Sequence, residues 1–259
     1  EHTIKYWSTD NVKNCECDNA VTFNFYLDKI APESEHEIIG DLHEGKYTFV
    51  SSRSKIKLSS QDNKAGVKNI YYRINGGKRN TYSSPFALPS NEGLYTIKYD
   101  AVDNVENLSK NYYKTVFLDN TPPNTWIKYE GPQFFKDGEL FISSKTKIKL
   151  PSKDVHSGVK STLYSIDNNT MKEYGKFFVE NEGAHAINFY STDNVNNAHD
   201  KRISNCHVDN TPPEIYHNFS IEPSGTKKKG GETLNVYPNY TRLYLGATDE
   251  KVGTEKILY

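Results

Sequence analysis

Cysteine and methionine are nearly absent: of 259 residues, 3 are Cys and 1 is Met. That excludes a disulfide-stapled scaffold and a thiol-rich enzyme. Positive charge is not in excess either, since 32 Lys and Arg stand against 33 Asp and Glu for a formal net charge of -1. Bulk charge therefore drives no nucleic-acid binding, because there is no basic surplus to displace counterions. No apolar run approaches the roughly 18 residues of a membrane helix. Nor does a charged n-region followed by an apolar h-region open the chain at Glu1, so no signal peptide is expected within it. Apolar residues are scarce: the hydrophobic fraction is 35%, with 19 Tyr in the chain, against a globular norm of about 45–50%. This argues against one large core and for several small domains with much surface per residue.

What the chain does have is repetition. HTIKYWSTDNV at 2–12 returns as YTIKYDAVDNV at 95–105 and as HAINFYSTDNV at 185–195. LDKIAP at 27–32 returns as LDNTPP at 118–123 and VDNTPP at 208–213. FVSSRSKIKLSSQD at 49–62 returns as FISSKTKIKLPSKD at 141–154, with TRLYLGATD at 241–249 as a degenerate third copy. Three blocks in one order and with one period of about 90 residues define a tandem array. Its register predicts the C-terminal half of a repeat at 1–29, complete repeats at 30–120 and 121–210, and the N-terminal half of another at 211–259. The half-repeats then expose core and unpaired strand edges, which something outside this stretch is expected to cover.

Within a repeat the hydrophobic period is 2. In KIKL at 147–150 branched residues alternate with Lys, the pattern of a strand with one dry and one wet face. Gly turns precede β-rich runs at 65–74 and 157–166, and no helical stretch of about twelve residues is evident. Short strands with frequent turn signals in a unit of about 90 residues predict tandem, antiparallel β-sandwiches of immunoglobulin (Ig) type in an elongated array. The paired prolines after Asp119 and Asp209 fix φ and remove two donors, which suits a linker or an edge-strand start.

These motifs resemble the tandem Ig-like repeats of bacterial surface proteins. They are most similar to a spirochaete outer-membrane repeat family whose name calls it a β-barrel, and the likeness runs through all four partial or complete copies. The barrel itself is excluded on physical grounds, since Lys147 and Lys149 on a lipid-facing strand would cost about 2–4 kcal/mol each at the midplane. The resemblance implies a non-enzymatic, surface-exposed array that adheres or spaces, located outside the cell or on the bacterial outer surface. Its implied partners are a surface protein or glycan of a host or neighbouring cell, or further repeats of the same chain. Accessory modules of a larger secreted or surface enzyme acting on polysaccharide are the alternative. Many relatives read D-x-A-G-N where this chain has DNVEN at 103–107, so an asparagine is expected to supply the left-handed residue of that turn.

Carboxylates recur at fixed places in the copies. A sandwich gathers the linker and the loops after the second and before the last strand at one pole. That predicts three groups: Asp28, Asp62 and Asp103; Asp119, Asp154 and Asp193; and Asp209 with Asp249. Two readings follow. Either each Asp closes an Asx-turn on its own backbone, or the converging hard oxygens hold a cation of the Ca²⁺ kind, stiffening the joint.

Other residues carry weaker signals. Cys206 aligns with Phe25 and Val116 and is expected to be a buried free thiol in an apolar slot. Cys15 and Cys17 flank a single residue, a spacing poorly suited to a mutual bridge. SGTKKKGG at 224–231 reads as a solvated hairpin tip. Trp7, Trp126 and the many Tyr suit packing or a sugar platform. Eight His show no metal-hydrolase spacing, and no nucleophile elbow or phosphate loop appears.

Overall fold

A computed structural model describes residues 1–259. The chain is all-β, with no α-helix and one 3₁₀ turn at Cys17–Asn19. It divides into two compact units. The first comprises Glu1–Pro122 with the loops Asp154–Gly158 and Asp193–Asn197; the second comprises Pro123–Lys153, Val159–Thr192 and Ala198–Tyr259.

The first unit holds a sandwich. Its smaller sheet pairs Glu33–Ile39 with Lys55–Gln61. Its larger sheet runs Leu42–Glu44, Thr48–Val50, Tyr112–Leu118, Gly93–Asp103, Val67–Ile74, Asn80–Thr81 in spatial order. Alternation sets which side chains go inside: along Lys55–Gln61, Ile56 and Leu58 are buried while Lys55 and Lys57 are exposed. They face Tyr95, Ile97, Tyr99, Val116 and Leu118 of the larger sheet to form one core. Fully burying an aliphatic side chain of this kind contributes about 1.5–3 kcal/mol.

The second unit repeats the plan. Its six-stranded sheet runs Gln133–Lys136, Glu139–Ile142, Arg202–Val208, Gly183–Asp193, Val159–Ile166, Lys172–Glu173. The smaller sheet pairs Lys128–Glu130 with Lys147–Lys149, continued by Asn124–Thr125 with Ser152–Lys153. Ile148, Leu150, Ile187, Phe189, Cys206 and Val208 fill the core. Cys206 is free and buried, as its alignment predicts. Burial pushes its thiol up from the ordinary value, which removes thiolate and reactivity.

Pairing is antiparallel throughout except at one place in each sandwich. Thr48–Val50 runs parallel to the last strand, with Phe49 opposite Phe117 and Val50 opposite Leu118, and Phe141 and Ile142 repeat this against His207 and Val208. The hairpin leading into this strand lets the chain leave the smaller sheet and join the larger one.

The remaining strands are two-stranded. His2–Tyr6 pairs with Val21–Phe25 in the first unit, and Glu214–Phe219 pairs with Leu243–Thr248 in the second. Gly225–Lys229 and Glu232–Val236 form an exposed hairpin across Gly230 and Gly231, both at positive φ, the geometry a two-residue turn requires. The basic run is thus a solvated hairpin tip. Cys15 and Cys17 correct the sequence expectation, for they form a disulfide with Cα atoms 5.2 Å apart. The bridge of Thr9 to Cys15 and the 3₁₀ turn at Cys17–Asn19 fold the chain back on itself. The Cα separation then falls within the ordinary 4.4–6.8 Å range.

Candidate functional site

Each D-N-V-x-N segment closes the same loop. Asp103 Oδ1 accepts the backbone N–H groups of Val105 (3.0 Å) and Asn107 (2.7 Å), and its Oδ2 accepts Asn107 Nδ2 at 2.8 Å. Asp193 does the same with Val195 and Asn197, and Asp10 with Val12 and Asn14. The left-handed residue is the fourth of the segment: Lys13, Glu106 and Asn196. At 103–107 this corrects the sequence expectation, for Glu106 and not an asparagine is the left-handed residue. In the first two copies a long side chain takes this place, where the carboxylate's hydrogen bonds to the flanking N–H groups hold the turn.

The second loop is an Asx-turn as well. Asp62 Oδ1 accepts Lys64 N and Gly66 N, Asp154 Oδ1 accepts His156 N and Gly158 N, and Asp249 Oδ1 accepts the N–H groups of Lys251, Val252 and Gly253. Gly66, Gly158 and Gly253 sit at positive φ, which glycine adopts without steric cost. The linker carboxylates then tie to these loops: Asp28 Oδ2 accepts Ala65 N (2.8 Å) and Asp119 Oδ2 accepts Ser157 N (3.0 Å). Asn107 Nδ2 donates to Asp28 O at 3.2 Å, and Asn197 Nδ2 to Asp119 O at 2.9 Å.

The two sequence readings are therefore compatible. Every Asp closes a turn, and the carboxylates also converge. Asp28, Asp62 and Asp103 each bring an oxygen within 4.8 Å of the others, as do Asp119, Asp154 and Asp193. Both triads lie in the first unit. Asp103, Asp119 and Asp193 are buried to 0% exposure, and Asp62 Oδ2 and Asp154 Oδ2 are buried without any hydrogen-bond partner. Three converging carboxylates, buried or half-buried, with an orphaned oxygen are a donor set for a hard cation.

Asp209 and Asp249, in the second unit, gain no third carboxylate. Lys251 stands there instead, with Nζ 3.9 Å from Asp209 Oδ1 and in an ion pair with Glu182. The Glu182 hydrogen bond raises the lysine's pKa, aided by the charges of Asp209 and Asp249. A tethered ammonium thus supplies at this pair the positive charge the triads lack.

Sequence reasoning missed the glutamates that brace the linkers. Glu92 Oε2 accepts Asn120 N (3.0 Å) and Thr121 Oγ1 (2.7 Å), and its Oε1 meets His156 Nε2 at 2.7 Å. Glu182 likewise accepts Asn210 N and Thr211 Oγ1. The signal was present as NEG at 91–93 and 181–183, ahead of each long strand. Arg53 and Asp41 were also missed. Arg53 Nη2 donates to Val195 O at 2.7 Å, and Asp41 Oδ1 accepts Asn196 Nδ2 at 2.7 Å, covering the Asp193 loop.

That cover explains why equivalent carboxylates titrate differently. Burial raises Asp193, with the charge of Asp119 adding to it and the Asn197 and Val195 hydrogen bonds only partly offsetting it. At Asp103 burial also pushes upward, but the Asn107 and Val105 hydrogen bonds outweigh it and hold the group below its ordinary value. Val105 is 54% exposed where Val195 is 0%, so less water is lost around Asp103. Asp41 and Glu92 are lowered too: against the upward push of burial stand the hydrogen bonds of Ser51, Asn196 and Arg53, and of Thr121, Asn120 and His156 respectively.

These directions set a pH profile. A pKa raised in the folded state means the folded chain binds more protons between the two values, so stability falls as pH rises there. A lowered one gives stability that is lost as pH falls through the folded value. In EDTA, mild acidification toward the carboxylate range is expected to raise the melting temperature through Asp193. Stronger acid then lowers it as Asp41, Glu92 and Asp103 take up protons. Asp193→Asn should abolish the rise and keep the fall; a melting series by circular dichroism that shows the rise intact in this variant refutes the assignment.

A recess of the second unit is lined by Tyr129, Asp167, His185 and Cys206 among others. His185 Nδ1 meets Asp167 at 3.0 Å and Nε2 meets Asn181 O at 2.8 Å, so both ring nitrogens are engaged. Burial raises the Tyr129 hydroxyl to about 12. These groups hold strands together and present no activated nucleophile. Trp7 and Trp126 are 55% and 38% exposed and lie in different units, with no ring stacked on either.

No family model matches the chain, and no curated protein does. Among solved structures it is similar to the fibronectin(III)-like modules of Clostridium thermocellum CbhA. The identity is 13%, the match covers 67% of this chain and 94% of that one, and the TM-score is 0.38. The fold stated above rests on the strand pairings alone.

Proposed function

We propose that this chain belongs to a non-enzymatic, modular protein of the cell exterior, in which Ig-like repeats act as a spacer or adhesive array of the spirochaete surface-repeat type. Its repeats meet near residues 29, 120 and 210. At two of these joints a divalent cation, with Ca²⁺ the best match to all-oxygen ligands, sits among Asp28, Asp62 and Asp103 and among Asp119, Asp154 and Asp193. The observation that carries this reading is the convergence of three carboxylates within 4.8 Å around a buried, partnerless oxygen, made twice from the same sequence positions. The cation offsets the repulsion and joins the linker Asp to the two loops of the repeat that follows. The target of the array is a surface protein or glycan, or further repeats of the same chain.

Thermal unfolding of the whole chain in EDTA and in millimolar Ca²⁺ tests this. Binding to the folded state alone stabilises by about 2.7 kcal/mol at a hundredfold excess over Kd. For a domain of this size that is a rise on the order of 10 °C or more. An unchanged midpoint refutes the cation and leaves the Asx-turns as the whole explanation of the aspartates.

A further inference from the structure

We propose that the open recess in the second sandwich is a binding site for the side chain of a lysine belonging to another protein. In the first sandwich the chain fills the same place with a lysine of its own. Lys114, opposite Ile97 on the last strand, brings Nζ to Thr48 Oγ1 at 2.9 Å and to Glu44 Oε1 at 4.0 Å, and its side chain is only 24% exposed. Thr48 and Glu44 face each other across the inserted hairpin. The second sandwich keeps this frame and drops all three residues. Ser204 lies opposite Ile187, and Leu140 lies opposite Phe135 on the hairpin. So Ser204, Leu140 and Phe135 stand where the first sandwich has Lys114, Thr48 and Glu44.

Losing the lysine leaves room. Ala184 and Ala186 also stand where the first sandwich has Leu94 and Thr96. Tyr129, in the place of Ile38, bonds Ser204 Oγ at 2.9 Å and forms part of the wall. The recess these residues line measures about 720 Å³. Sites for whole small molecules run about 300–1,000 Å³, so one long side chain enters easily.

The lining has changed its charge as well. It contains Glu139 and Asp167 and no Lys or Arg. Asp167 Oδ1 accepts Ala186 N at 3.0 Å just as Asn75 Oδ1 accepts Thr96 N at 2.8 Å in the first sandwich. An amide therefore suffices for the structural bond, and the charge of Asp167 is additional to it. The Ala186 and His185 hydrogen bonds hold this carboxyl below its ordinary value, which keeps it ionised. Glu139 stands where the first sandwich has Tyr47, two residues before the parallel ladder. Its Oε2 meets His207 at 3.3 Å and its side chain is 59% exposed, so the carboxylate can still turn to a ligand. The Phe135 ring is 68% exposed at the same recess. A lysine stem packs on apolar surface while its ammonium seeks carboxylates and aromatic faces, and both kinds of wall are present here.

The test is a titration of the ¹⁵N-labelled full chain with Nα-acetyl-lysine N-methylamide. Backbone amide shifts are read in EDTA at about pH 8, where an imidazole is uncharged. Shifts at 184–186 and 204–206 are expected to saturate in the millimolar range. The norleucine analogue, with a methyl in place of the ammonium, should bind about tenfold more weakly or not at all. Ser204→Lys restores the lysine of the first sandwich and should abolish saturable binding. Glu139→Gln, on the exposed rim, should weaken the lysine probe several-fold and leave norleucine unchanged, and it decides the matter if circular dichroism shows Ser204→Lys unfolded. Absence of saturation, norleucine that binds as well as lysine, or Glu139→Gln that binds as the wild type does overturns the proposal. That the lysine comes from a protein rests on the adhesive reading, but the probe is a single side chain in EDTA, so the recess stands or fails apart from both adhesion and the cation.

Discussion

Ile187→Ala is expected to destabilise the second unit by about 2–5 kcal/mol, the range for removing a large aliphatic side chain from a core that cannot collapse around the gap. Ile187 is 0% exposed in the middle of an 11-residue strand and packs among the buried residues of that core. Strands hydrogen-bonded on both sides, Arg202–Val208 and Val159–Ile166, hold it in place, so the backbone has little room to relax. Its counterpart Ile97, equally buried, should behave alike in the first unit. The measurement is urea unfolding of each variant, with Trp7 reporting on the first unit and Trp126 on the second. A loss below about 1 kcal/mol, smaller than most core truncations, would show that the site is not packed as described.

Asp154→Asn should change sign with the buffer. The amide keeps one oxygen to accept from His156 N and Gly158 N, so the turn survives. It replaces the orphaned Oδ2 with a donor facing two carboxylates. In EDTA, removing one of three like charges is expected to stabilise by about 1–3 kcal/mol, the scale of Coulomb repulsion at this separation in a partly screened site. In Ca²⁺ the same change deletes a charged ligand. A tenfold weaker site reduces the calcium-induced gain from about 2.7 to about 1.4 kcal/mol. A variant destabilised equally in both buffers would assign Asp154 to turn closure and nothing else.

The legible part of this chain was what period and repetition encode. Alternation in KIKL marked Ile148 as inner and its lysines as outer, and three recurring blocks placed carboxylates that the sandwich then gathered at one pole. Positions fixed by tertiary pairing were not legible. Thr48–Val50 reads as an ordinary short strand, and only the presence of Phe117 and Leu118 beside it makes its ladder parallel. Glu106 takes a left-handed backbone because Asp103 accepts the N–H groups on both sides of it, and no property of glutamate announces that. The cysteines of the first loop meet because two extra residues bend it through a 3₁₀ turn. Lys251 copies the position of Lys64 and His156 after the loop Asp, so its role as an internal cation appears only once Glu182 and Asp209 are seen beside it.

The short parallel ladder bears on how each sandwich withstands tension. Thr48–Val50 comes early in its sandwich and Tyr112–Leu118 comes last, and the two point the same way. A pull applied along the chain draws such neighbours past one another, so their hydrogen bonds are loaded together in shear and not opened one by one. Glu139–Ile142 and Arg202–Val208 stand in the same relation. A tether of these repeats would meet a stretching force with a latch in every link, each one failing only when all of its hydrogen bonds let go at once.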